Sequence, residues 1–290
     1  MTLIIGILSK GYVALASDRR LTWYQDGPGG RKIIKQGDSD TKAFLLAGCF
    51  LMGYTGLARV RDTTMEEWVA HQLAGIEPNA YFETLAEEMT GLFRAEGMSG
   101  KLRHAFLAVG YARKGALPMA HPVTITVTNS LNDRQEWTGT GPISDAFTVV
   151  VRRLGNQRQM TTTIGWPMPT AAEHKLGAAV RHAVRGLPDN PELVVAPLVE
   201  ATWSTATKSQ GHVGETVMVA TLPAIAVPAS YVSVPFAQPD WRAEPLALVA
   251  RRQPQSRIES QFYTPAIIDP DAITWNVQVD TKPLPPPVRS

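Results

Sequence analysis

Apolar residues in this 290-residue chain fall into blocks whose period switches from continuous runs to helical spacing and back, and that order restricts the fold more than any single motif. The first block, Leu3-Ile4-Ile5-Gly6-Ile7-Leu8, is followed by Ser9-Lys10-Gly11 and then Tyr12-Val13-Ala14-Leu15-Ala16, which predicts a buried β-hairpin with a tight turn. The polar, glycine-rich stretch from about Trp23 to Asp40, with Asp26-Gly27-Pro28-Gly29-Gly30 inside it, reads as a loop. Lys42 to Leu46 and Phe50 to Thr55 read as a second hairpin. Helical spacing follows in Met65, Trp68, Val69 and Leu73, and again in Phe82, Leu85, Ala86, Met89, Leu92 and Phe93 after a break at Pro78-Asn79.

Strand-like runs return between Leu102 and about Ile164, in Ala105 to Val109, Val123 to Val127 and Phe147 to Val151. Ala172, Leu176, Ala179, Val180 and Ala183 mark a third helix. A fourth runs from Pro191 through Thr202, where Pro197 must kink the helix or delay its start. Thr216 to Ala220 closes this part of the chain as a strand. Strands, a helix pair, strands, a helix pair and a strand predict an α+β fold, a four-layer αββα sandwich; helices segregated from strands disfavour a doubly wound parallel sheet. Beyond Pro223 short apolar runs alternate with prolines, so residues 1–222 are expected to form the main domain and 223–290 a proline-rich C-terminal extension. Its aromatics Phe236, Trp241, Phe262, Tyr263 and Trp275 are expected to pack on the domain or on a neighbouring subunit, and the closing residues, Lys282 to Pro287 among them, to stay extended or disordered.

Composition removes several classes of function. With 28 basic and 26 acidic residues, and with Arg19-Arg20, Arg152-Arg153 and Arg251-Arg252 far apart, there is no basic stripe for nucleic acid. No apolar run approaches the roughly 20 residues of a membrane helix. The start of the chain does not read as a secretory signal either, because Lys10 and Gly11 interrupt the segment that should be apolar. The single cysteine, Cys49, excludes an intrachain disulfide and is expected as a buried thiol in the second hairpin, which fits a reducing, cytoplasmic compartment. The six histidines make no metal-ligand spacing with one another or with Cys49, and Gly139-Thr140-Gly141-Pro142 lacks the third glycine and the strand-to-helix setting of a dinucleotide loop.

The residues open to chemistry begin at Thr2. Methionine is generally trimmed before a small residue, which would leave Thr2 with a hydroxyl and a free α-amine, and such an amine is poised near neutral pH to act as base for its own side chain. Asp18 stands at the end of the second predicted strand with Arg20 beside it, Lys42 opens the third, and Gly56 follows the fourth. Each alone has a plain structural explanation: a first strand residue, a solvated strand end, a surface lysine, a helix-entry glycine. Their order and the elements that carry them are what the following resemblance rests on.

With those residues in place, the chain from Thr2 to about Leu222, most specifically up to Leu57, resembles the proteasome β-subunit family of N-terminal nucleophile hydrolases, which includes the bacterial Anbu-type proteins and the proteasome-like peptidase of the heat-shock system. The resemblance implies Thr2 as nucleophile, Lys42 as the cation that lowers the pKa of its hydroxyl and amine, Asp18 as the partner holding that cation, and the Gly56 N–H as an oxyanion donor. It gives Arg20 a supporting role. Lys32 and Lys35 are rivals for the lysine; Lys42 keeps the lysine-to-glycine separation and the strand phase, at the cost of a longer surface loop. Family members usually add an aspartate and a serine after the fourth helix to support the amine. Here the segment is Lys208-Ser209-Gln210-Gly211-His212-Val213-Gly214, without the aspartate, so Ser209 and His212 stand either as substitutes or as residues capping the helix.

The activity implied is cleavage of peptide or other amide bonds through an acyl-enzyme, without metal or cofactor, in a homo-oligomeric ring. The alternatives of the same fold are a catalytically inactive assembly subunit that keeps Met1 and a small-molecule amidase.

Overall fold

The computed structural model of this chain describes residues 2–27, 30–37, 42–46, 50–112, 121–224, 246–252, 258–263 and 266–268. Cys49, Phe236, Trp241, Trp275 and the segment from Lys282 to Pro287 lie outside the described residues, as do the side chains of Lys32, Lys35, Phe262 and Tyr263.

Strands β1 (Leu3–Ser9) and β2 (Tyr12–Asp18) form the first hairpin, with Ile4 opposite Ser17 and Leu8 opposite Val13. Every residue in both is buried. Alternate side chains of a strand leave opposite faces, and here both faces are covered: Leu3, Ile5 and Ile7 join one apolar cluster, Ile4 and Leu8 another. A strand covered on both faces favours apolar side chains along its middle, which explains the apolar runs Leu3 to Leu8 and Tyr12 to Ala16, with the polar residues at the strand ends.

The stretch read as a loop is instead a hairpin. Strand β3 (Leu21–Gly27) pairs with β4 (Gly30–Gly37), from Leu21 opposite Gly37 to Gly27 opposite Gly30, with an irregular register at Trp23 and Tyr24. Glycines bracket the reversal, and the Thr, Trp, Tyr and Ile residues on either side favour extended backbone, which outweighs the polar composition. Strands β5 (Ala43–Leu46) and β6 (Phe50–Thr55) make the expected second hairpin, with Ala43 opposite Gly53. A short ribbon, β7 (Arg59–Val60) with β8 (Thr63–Thr64), leads into helix α1 (Met65–Leu73). Thr64 and Glu67 cap that helix reciprocally, each side chain bonding the other's backbone N–H. Helix α2 (Tyr81–Ala95) follows.

Strands β9 (Ala105–Ala112), β10 (His121–Thr128), β11 (Thr148–Arg153) and β12 (Gln159–Gly165) precede helices α3 (Thr170–Gly186) and α4 (Val195–Lys208). Pro197 delays the start of α4: a 3₁₀ turn at Pro191–Val194 comes first, and the proline sits in the opening turn, where its missing N–H is not needed. The chain then forms β13 (Thr216–Pro223), β14 (Leu246–Arg252), β15 (Ile258–Tyr263) and β16 (Ala266–Ile268).

The larger sheets have the orders β12-β1-β2-β13-β14-β15 and β11-β10-β9-β6-β5-β16. Strands from beyond Pro223 thus extend both, with β16 parallel to β5 and the other pairings antiparallel. The fold is α+β. One apolar cluster joins Ile4, Leu8 and Leu15 of the first sheet to Leu45, Leu51, Leu107 and Val109 of the second. A second sets Leu3, Ile5 and Ile7 against Leu176 and Val180 of α3 and Leu198 of α4, and a third sets Phe44, Tyr54 and Phe106 against Trp68 of α1 and Leu85, Met89 and Phe93 of α2. The open end of the β1–β2 hairpin, where Thr2 and Asp18 lie, is enclosed by neighbours from both sheets.

Candidate active site

Thr2 immediately precedes β1 and is 4% exposed. Its carbonyl oxygen accepts from Trp166 N at 2.8 Å. That approach requires glycine at 165, where φ is +96° and a Cβ would lie 1.7 Å from the Thr2 oxygen. Its nitrogen donates to Thr55 Oγ1 at 3.4 Å.

Asp18 ends β2 with no exposed surface, so its charge is tolerable only if its oxygens are bonded and a cation is close. Both conditions hold. Oδ1 accepts from Leu3 N at 2.9 Å, and Oδ2 accepts from Gly214 N at 2.9 Å and Arg20 N at 3.2 Å. The cation is Lys42, just ahead of β5, whose Nζ lies 3.7 Å from Oδ2 in an almost fully buried pair. The same ammonium donates to Thr2 Oγ1 and to the Arg20 carbonyl oxygen. A cation delivered to Oγ1 in a site largely closed to water stabilises negative charge on that oxygen, which is what a hydroxyl nucleophile requires.

Thr2, Asp18 and Lys42 are therefore brought together from three strand ends. Arg20 joins through its backbone, and its guanidinium donates to Gly211 O at 2.9 Å, tying down the loop after α4. Ser209 belongs to that loop and is not turned toward the threonine. Its buried hydroxyl donates to Ala206 O and accepts from Val213 N, each at 2.9 Å, closing the end of α4. Of the two readings of Ser209, the helix-capping one describes these contacts. His212, in the same loop, stacks on Trp166 with ring centroids 4.6 Å apart. Burial, and then the charge of the chain's amino terminus, hold its pKa below the usual histidine range.

Gly56 follows Thr55 at an exposed turn with φ +107°. Glycine is required there by the conformation and by neighbours behind it: a Cβ would come within 2.5 Å of Arg103 O and 2.9 Å of His104 Nδ1. The sequence reading does not single out His104, yet its Nδ1 accepts from Leu57 N at 3.0 Å and fixes this turn. The ring is fully buried, stands edge-on to Phe93, Phe106 and Phe147, and is kept neutral, its pKa pushed down to about 3 by burial. With Nδ1 accepting, the proton is assigned to Nε2, which has no hydrogen-bond partner. The only signal in the sequence is a histidine opening an apolar strand, and its meaning depends on Leu57 arriving from a distant turn.

Among the described residues no group of three or more His, Cys, Asp or Glu side chains is placed to hold a metal ion, and no helix is long and apolar enough to cross a membrane. No protein-family model matches the chain, and no curated protein does. Among solved structures it is similar to Anbu (ancestral beta-subunit) from Yersinia bercovieri, with 13% identity, a TM-score of 0.43, and coverage of 77% of this chain and 82% of that one. Overlap at that level carries no weight for the chemistry, which rests on the site.

Proposed function

We propose that this chain is an N-terminal threonine hydrolase that cleaves peptide or other amide bonds once Met1 has been removed. The observation that carries the reading is the buried ammonium of Lys42, paired with Asp18 and donating to Thr2 Oγ1. In the reaction, the Thr2 hydroxyl proton passes to the Thr2 amine as Oγ1 bonds to the substrate carbonyl carbon. The resulting ammonium returns that proton to the leaving nitrogen as the carbon–nitrogen bond breaks, leaving an ester on Thr2. Water then gives a proton to the amine as it attacks the ester, and Oγ1 departs carrying that proton. In this reading the N–H of Gly56 is the oxyanion donor, a contact worth about 10²–10³-fold in rate.

The same reading treats the apolar clusters as the interfaces of a four-layer αββα sandwich of the proteasome β-subunit type. Residues to 222 form the hydrolase domain, the remainder an extension, and copies of the chain assemble as a ring in the cytoplasm.

Intact mass and covalent labelling test the reading together. Purified protein is expected to lack one methionine and to be acylated by a β-lactone at Thr2, and Thr2→Ala is expected to take no label and to turn over neither peptides nor acylated amines. Quantitative retention of Met1 would overturn the catalytic reading and leave the inactive assembly subunit in its place. Turnover of acylated amines but not of peptides would narrow the substrate to small amides.

A further inference from the structure

We infer that Thr55 is a further catalytic residue, whose hydroxyl holds and orients the Thr2 nitrogen that serves as the base; the inference rests on the N-terminal hydrolase reading. That nitrogen needs a partner. The supporting aspartate implied by the resemblance is absent from the loop after α4, and Ser209 is engaged at the end of its own helix. Among the described residues the peptide N–H of Thr2, which stands where the amine would be once Met1 is removed, donates to Thr55 Oγ1 at 3.4 Å, with both residues 4% exposed.

Thr55 is held firmly enough for such a task. It is the last residue of β6, opposite Ala105 in the ladder with β9, and the turn beyond it is pinned by Leu57 N donating to His104 Nδ1. A β-branched side chain on an ordered strand has few accessible rotamers, so the position of Oγ1 follows from the backbone. An N-terminal amine, by contrast, rotates almost freely about its N–Cα bond. An acceptor fixed on one side engages one N–H and confines the lone pair to the two remaining positions about the nitrogen, one of which faces Oγ1 when the amine takes a proton from its own hydroxyl. The contact also strengthens as the reaction proceeds, because the amine becomes an ammonium when it receives that proton, and a hydrogen bond from a cation is stronger than one from a neutral amine. A hydroxyl is needed at 55, and a carboxylate is not.

Thr55→Val, which keeps the branched shape and removes the hydroxyl, tests this against Thr55→Ser, which keeps the hydroxyl. The measurement is the rate of Thr2 acylation by a β-lactone across pH, with Thr2→Ala as the blank. Thr55→Val is expected to lower the maximal rate about 10- to 100-fold and to move the acid limb of the profile to lower pH, since the ammonium loses an acceptor that stabilises it; the concentration giving half-maximal rate should change little. Thr55→Ser is expected to restore most of the rate and the position of the limb. Wild-type labelling at Thr2 with an unchanged rate and profile in Thr55→Val would overturn the role of Thr55 alone. A wild-type chain that keeps Met1, or whose Thr2 takes no label, would overturn the hydrolase reading and this inference with it.

Discussion

Each end of the first hairpin buries a bonded polar side chain, Ser9 at the turn and Asp18 at the open end, and the two are satisfied by opposite means. At the turn, Ser9 Oγ donates to Tyr12 O at 2.8 Å and accepts from Tyr12 N at 3.0 Å, so a fully buried serine is satisfied within four residues of chain. At the open end, the partners of Asp18 include Leu3, Lys42 and Gly214, drawn from three distant points of the sequence. A polar group closed locally ends a strand and does nothing more. One closed by distant groups depends on the whole fold, and in return holds a charge, a hydroxyl and a backbone nitrogen in fixed relation.

Removing a member of the distant set should therefore have the largest effects. Both Asp18 oxygens accept from backbone N–H groups, so the amide nitrogen of an asparagine would face a donor while Lys42 lost its counter-charge. Asp18→Asn is expected to cost about 3–5 kcal/mol, read from urea unfolding. Lys42→Met should cost less, because the carboxylate keeps its three backbone donors. Acylation at Thr2, however, should fall by at least about 10²-fold in Lys42→Met, because the cation at Oγ1 is gone. Equal stability losses in the two variants would mean that the pair is held by charge alone, and the contrast with the turn would disappear.

The same division between local and distant closure explains what could be read from the sequence. The β1–β2 hairpin, the order of helices and strands, and the delayed start of α4 at Pro197 follow from periodicity and turn residues, which act over a few positions. Thr2 could be named from the residue type behind Met1, whereas Asp18 and Lys42 were named through the family resemblance, which the legible strand ends allowed to be placed on the sequence. The β3–β4 hairpin was hidden by its composition: the glycines, aspartate and proline clustered at its reversal read as a loop and drew attention from the Thr, Trp, Tyr and Ile cues in its strands. Ser209 was legible as a residue of the right type in the right loop, but whether its hydroxyl faced the helix end or the threonine depended on how α4 finished. His104 and the Thr55 hydroxyl could not be read as site residues, since their meaning comes from Leu57 and Thr2 meeting them in space.

His104 offers a second test of distant closure, with an effect that depends on pH. An unfolded histidine titrates near 6.5, whereas the buried ring holds its pKa at about 3. Below pH 6.5 the unfolded chain takes up a proton that the folded chain refuses, so the histidine lowers stability progressively as pH falls from about 6.5 to about 3. The full span is on the order of 5 kcal/mol. His104→Asn retains an acceptor near the position of Nδ1 without a titrating group, and is expected to be less stable than wild type at neutral pH yet to lose less between pH 6.5 and 4. Parallel stability curves for the two proteins over that range would show that His104 is not the group responsible.

Ser9→Ala should produce the smallest change and sets the baseline for the comparison. The substitution removes the hydroxyl that bonds both Tyr12 N and Tyr12 O, in a turn further held by Ala224 N donating to Gly11 O at 2.7 Å. Leaving a buried backbone donor without its partner costs about 1–3 kcal/mol, and the Tyr12 groups lie at the end of the strand, where small movements can recover part of it. A loss of about 1–2 kcal/mol is expected in urea unfolding, with Thr2 acylation unchanged, because nothing at the open end depends on this serine. If Ser9→Ala instead slowed acylation as much as it lowered stability, the two ends of the hairpin would be mechanically coupled along β1 and β2, and the turn would have to be counted among the supports of the site.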